Sequence, residues 1–142
     1  MATDFLMFNE GINYILGAHG GANGGLPATC YFALSTNAIS SFTTGTTLAG
    51  GIAEITGTGY ARQSQSPPAP SAGAVAFAQM SWSTGANTNW PAATKSIVLV
   101  DVLSGTSGKA YAAWNLIAGG GSRDLSQANT TEQVTPTLTT SS

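Results

Sequence analysis

Ser96-Ile-Val-Leu-Val-Asp-Val-Leu103 alternates strictly and is apolar on both faces. Ile97, Leu99 and Leu103 point one way, and Val98, Val100 and Val102 point the other. A strand that is apolar on both sides must be covered on both sides, so this one is predicted to be central. Ser104-Gly-Thr-Ser-Gly108 reads as a hairpin turn. Lys109 to Leu116 then returns antiparallel, with Tyr111 and Trp114 expected on opposite faces.

Outward from that hairpin the chain is rich in turns and in short period-two runs. Cys30, Phe32 and Leu34 alternate with Tyr31, Ala33 and Ser35, as in a half-buried strand. Residues 36–51 form a long Thr/Ser/Gly loop, a length expected to make contacts. Ile52–Ile55 and Tyr60–Ser64 read as extended pieces around a Gly57-Thr-Gly59 turn, and Ala74–Ala78 as a further strand. Gln65-Ser-Pro-Pro-Ala-Pro70 is a rigid connector, since each Pro fixes φ and lacks a donor. Trp82 and Trp90 flank a polar loop. Residues 124–128 suggest a short strand, and Val134, Pro136 and Leu138 a last one, placed at an edge by the proline. At the start, Phe5, Phe8, Ile12 and Ile15 recur at helical spacing, predicting an amphipathic helix over about residues 4–16. That helix is expected either to pack on the sheet or to serve as an arm exchanged with, or bound by, a partner. The tail over about residues 139–142 is expected to fray.

Together these readings predict one domain over residues 1–142. It is mainly β, a single β-sandwich of jelly-roll or Ig-like type with a short N-terminal helix.

Charged residues make up 7% of the chain, against a typical ~25%. Four cations cannot build a phosphate-binding stripe, so nucleic acid is not an expected partner. No basic n-region precedes the broken apolar stretch Phe5–Leu16, which is neither a signal peptide nor a membrane span, and no membrane partner is expected. Cys30 is the single cysteine and sits in an apolar run, as a buried thiol does. His19 is the single histidine, and no metal-ligand spacing or nucleophile-elbow motif occurs, so no cofactor, metal or catalytic residue is expected. Glu54 and Asp101 are the one carboxylate pair worth considering for glycoside hydrolysis. The structural reading of Asp101 is an ion pair with Lys109 across the hairpin or with Arg62, or else a hydrogen bond to backbone. Trp82, Trp90, Trp114, Tyr31, Tyr60 and Tyr111 either form a sugar-stacking platform or fill the core and subunit interfaces.

Three blocks stand in a fixed order: Tyr31-Phe-Ala-Leu-Ser-Thr36, Glu54-Ile-Thr-Gly-Thr-Gly-Tyr-Ala-Arg62 and Trp90-Pro-Ala-Ala-Thr94. This order resembles a family of small tailed-bacteriophage virion proteins, variously labelled tail fibre, minor tail or head decoration proteins. The resemblance covers roughly residues 4–117, and the chain departs from the family pattern after Gly121. It implies a non-enzymatic structural protein, assembled in the host bacterial cytoplasm and carried in the virion. Its partners would be capsid, neck or tail subunits and further copies of itself. A host-surface glycan-binding module is the alternative. Glu54, Gly57, Gly59, Tyr60, Arg62, Trp90 and Pro91 are the motif residues. Gly57 and Gly59 would permit a tight turn, and Tyr60 would anchor it. Arg62 would either clamp Glu54 or a carbonyl within the chain, or bond an adjacent subunit. Trp90, followed by Pro91, would wedge a loop against the sandwich.

Overall fold

Ile97, Val98, Leu99 and Val100 are all fully buried, because the strand they form is covered on both faces. The structure is a computed structural model that describes residues 4–13 and 26–139. Among these the chain forms nine strands: β1 (Phe5–Met7), β2 (Cys30–Ser35), β3 (Gln63–Gln65), β4 (Ala74–Ala76), β5 (Met80–Ser83), β6 (Ser96–Val100), β7 (Ala110–Asn115), β8 (Thr131–Val134) and β9 (Thr137–Thr139). Five of them make one antiparallel sheet in the order β1-β7-β6-β2-β3. Two ribbons, β4-β9 and β5-β8, lie over one face of it. The protein is therefore mainly β, as its sequence predicts, with the second layer of the sandwich split in two.

The main core lies between the sheet and the ribbons. Phe32, Leu34, Ile97, Leu99 and Trp114 meet Phe77, Met80, Trp82 and Leu138 there. Phe32 and Phe77 pack edge to face at 4.9 Å. Trp114 Nε1 donates to the Thr137 carbonyl at 2.9 Å, joining the sheet to β9. On the other face Val98, Val100, Ala110 and Ala113 are covered by Phe8, Ile39, Phe42 and Leu48. The polar loop 36–51 thus turns three apolar side chains inward, through a short 3-10 turn at Ile39–Ser41, and leaves Ser40, Ser41, Thr43, Thr44 and Thr47 in solvent.

Several expectations are corrected. Phe5, Leu6 and Met7 are not helical; they form an edge strand on β7, and helix α1 (residues 9–13) begins after them. Phe8, expected on that helix's apolar face, instead seals the second core as a plug between strand and helix. The remainder of the expected helix, the Gly-rich stretch with His19, and the end of the tail lie outside the described residues. Tyr111 and Trp114 share the main core. Leu99 opposes Ala112 while Val100 opposes Ala110, so Tyr111 is the extra residue of a β-bulge, and the bulge re-aims its side chain. The central strand stops at Val100, and Leu103 is left 59% exposed. The expected last strand is two strands, β8 and β9, in different ribbons. Pro136 has no N–H to continue a ladder, and its carbonyl accepts from Phe77 N at 3.0 Å where the chain crosses over. Residues 124–128 form no strand; the neighbouring Arg123 makes a single bridge to Thr94.

Candidate functional site

The motif residues converge on one side of the molecule. Glu54 leaves β2's neighbour bridge at Ser35, and the chain turns through residues 57–60 into β3. Tyr60 N donates to the Gly57 carbonyl at 3.0 Å, closing the turn, and Gly59 takes a positive φ of 79° that most side chains avoid. Gly57 is glycine for a different reason: a Cβ there would overlap the Trp90 indole. Trp90 Nε1 donates to the Thr58 carbonyl at 2.9 Å, and its ring meets Tyr60 edge to face at 5.6 Å. Pro91 follows, its carbonyl accepting from Leu125 N at 3.1 Å. The wedge expected of Trp90 is present, with the indole only 3% exposed.

Arg62 is the centre of the arrangement. Its side chain is 2% exposed. Nε donates to Glu54 Oε1 at 2.9 Å and Nη2 to Glu54 Oε2 at 2.5 Å, the paired fork that guanidinium and carboxylate favour. Nη1 reaches the Val102 carbonyl and Nη2 the Gly105 carbonyl, both at 2.8 Å. Arg62 therefore binds the Glu54 segment to the tip of the β6-β7 hairpin, 40 residues or more along the chain. Tyr60 completes the network: its hydroxyl donates to Glu54 Oε1 at 2.9 Å and accepts from Leu34 N at 3.0 Å. Hydrogen bonding to Glu54 raises the Arg62 pKa despite burial. Burial, and then the Glu54 charge, push the Tyr60 hydroxyl up, so it stays protonated as a donor. Of the two roles open to Arg62, the intrachain clamp is the one formed.

Asp101 does not join Glu54 in a cleft. Its Oδ1 accepts from Lys109 N at 2.7 Å and its Oδ2 from the Tyr111 hydroxyl at 2.8 Å, so it caps the hairpin beside the bulge. Neither expected side-chain partner is taken: the Lys109 ammonium pairs with Glu10 at 3.2 Å, and Arg62 is held by Glu54. Cys30 is fully buried, its Sγ donating to the Pro27 carbonyl at 3.6 Å, and burial pushes its thiol up to about 11. Trp82, Trp90 and Trp114 are 2%, 3% and 8% exposed, and each indole N–H is taken by a backbone carbonyl. They fill the core and leave no tryptophan platform for a sugar.

Two groups escaped sequence reading. Asn87 and Asn89 grip the same turn: Asn89 Oδ1 accepts from Thr58 N at 3.1 Å, and Asn87 Nδ2 donates to the Thr58 carbonyl at 3.2 Å. Their spacing just before Trp90 was the available signal. Glu132 has no such signal. It sits on the inner side of β8, 5% exposed, paired with Arg123 at 3.1 Å. Burial raises its pKa, more than Arg123 lowers it. Arg123 and Glu132 line a shallow polar groove of about 420 Å³ with Ser122, Asp124 and Thr131.

Among the described residues no cluster of three or more His, Cys, Asp or Glu is placed to hold a metal ion, and no helix is long and apolar enough to cross a membrane. Comparison with protein families, with curated proteins and with solved structures finds no match to this chain.

Proposed function

We propose that this protein is a non-enzymatic structural subunit of a tailed phage particle, docking on capsid, neck or tail through protein–protein contacts and associating with copies of itself. One observation carries the reading. The residues on which the family resemblance rests fold into a closed clamp, in which Arg62 makes four intrachain hydrogen bonds. A motif of that kind fixes a shape, in this case the tip of the β6-β7 hairpin; it presents no reactive group. The composition supports the same reading. The chain is only 7% charged, and scarcity of charge is what marks the core of a protein–protein interface.

Quantitative mass spectrometry of density-purified particles, produced by the genome that encodes this chain, tests the proposal. The chain should be present at a fixed ratio to the major capsid protein. Its absence from intact particles, with abundant free protein in the lysate, would refute the structural role.

A further inference from the structure

The N-terminal arm, residues 4–13, is built onto the domain as a separate piece. β1 adds the last strand to the sheet, with Phe5, Leu6 and Met7 opposite Trp114, Ala113 and Ala112. Asn115 N donates to the Asp4 carbonyl at 3.0 Å, and Phe8 N to the Tyr111 carbonyl at 2.9 Å. The Asp4 carboxylate accepts from Gly119 N at 2.7 Å and from Asn115 Nδ2 at 3.0 Å. Phe8 is fully buried against Phe42 at 5.6 Å, and Asn9 N donates to the Thr44 carbonyl at 2.7 Å. Gly11 lies so close to the Tyr111 carbonyl that a Cβ would collide with it. Glu10 pairs with Lys109.

All of these partners lie between residues 42 and 119, on the body of the domain. The body in turn is incomplete without an arm: Val98, Val100, Ala110 and Ala113 would lose the Phe8 plug, and β7 would become an open edge. Nothing in the contacts requires that the arm belong to the same chain. Residues 14–25, which join it to the body, include Gly17, Gly20, Gly21, Gly24 and Gly25. A segment of that length can span at most about 40 Å when fully extended, comparable with the ~35 Å width of a domain this size.

We propose that in the assembled protein the arm is exchanged: residues 4–13 of one copy complete the sheet and seal the second core of its neighbour. The occupant of the β7 edge is thus a second copy of this chain, making the contacts described above across a subunit boundary. This rests on the reading of the protein as a self-associating subunit. Exchange conserves every arm contact while linking the copies, and so gives a low-charge subunit a specific means of association.

The Glu10–Lys109 pair supplies the test without mutation, since both side chains are accessible, at 39% and 54% exposed, and 3.2 Å apart. The full-length protein is sized by light scattering, treated with a zero-length carbodiimide and run on a denaturing gel, and the linked peptides are mapped by mass spectrometry. Exchange predicts the Glu10–Lys109 link in bands of two or more chains, and its loss, with those bands, in Lys109→Arg. An oligomer in which that link occurs only within single chains overturns the exchange and leaves self-association standing. A monomer at all concentrations overturns both. A second pair guards against poor chemistry at the surface. Met7→Cys with Ala112→Cys, in a Cys30→Ala background, places two cysteines directly opposite, where Cα atoms lie ~4.5–5.5 Å apart, within disulfide range. Oxidation should then give covalent oligomers; a disulfide confined to single chains overturns the proposal.

Discussion

Replacing Arg62 by Ala removes two bonds to Glu54 and two to the carbonyls of Val102 and Gly105. Truncating one partner of a buried ion pair costs ~3–5 kcal/mol, because the other charge is left without its counter-ion. Glu54 is 26% exposed and keeps the Tyr60 hydroxyl, so water relieves part of that cost and the lower end applies, about 3 kcal/mol. For a domain of this size the expected fall in Tm is about 10 °C. Chemical denaturation followed by circular dichroism gives the free energy, and a thermal scan the midpoint. Arg62→Lys should fall between wild type and Arg62→Ala, losing ~1–2 kcal/mol: an ammonium keeps the charge but cannot span Glu54 and two carbonyls at once. Hydrogen exchange adds a spatial readout, since loosening of the clamp should speed exchange at the β6-β7 hairpin more than at β5-β8. A loss below ~1 kcal/mol for Arg62→Ala, the scale of an exposed surface pair, would refute the clamp as the element that fixes the hairpin tip.

Three further predictions concern the same network and the ribbon beside it. Gly57→Ala drives a methyl into the Trp90 indole and should cost ~1–3 kcal/mol, with a red shift of tryptophan emission as Trp90 is displaced. Tyr60→Phe leaves the Leu34 amide without its acceptor and should cost ~1–3 kcal/mol, with faster exchange at the Leu34 N–H as the specific sign. Glu132 has its pKa raised by burial in the folded state, so the fold binds its proton more tightly than the unfolded chain does. Its contribution to stability is full below the ordinary glutamate range, ~4.3, and is lost as pH rises through the folded value. Glu132→Gln should therefore flatten the pH dependence above that range, read as denaturation midpoints of the two proteins from pH 4 to 7; an unchanged slope would contradict it.

How much of this was legible in the sequence depends on the range of the interaction concerned. The β6-β7 hairpin could be read because its signal is local: two-sided apolar alternation, then a Gly/Ser turn. The Arg62–Glu54 fork could be read because both partners lie within nine residues of one another around a glycine turn. Its other half could not, since the carbonyls of Val102 and Gly105 are backbone groups with no sequence signature. The first strand is not legible because Phe5 and Phe8 are three apart, a spacing compatible with helix, and only pairing with β7 makes Phe5 extended. Strict alternation predicts Tyr111 and Trp114 on opposite faces, but a one-residue bulge, which leaves no mark in the sequence, brings both into the main core. Strand β5 shows alternation too, with Met80 and Trp82 buried and Ser81 and Ser83 exposed, but four residues are too few to distinguish it from the loop that follows. Loop 36–51 is expected to make contacts because of its length; its apolar residues Ile39, Phe42 and Leu48 are too widely spaced to announce that they cover Val98 and Val100.

The most direct test of the structural role is rebinding. Particles produced without this protein are mixed with increasing amounts of the purified chain and weighed by mass photometry or sedimentation. A structural subunit should bind saturably, with a fixed number of sites per particle that distinguishes capsid from neck or tail, and with little dependence on salt given the scarcity of charge. Particles that gain no mass at any concentration, from protein shown to be folded by its cooperative unfolding, would contradict the account.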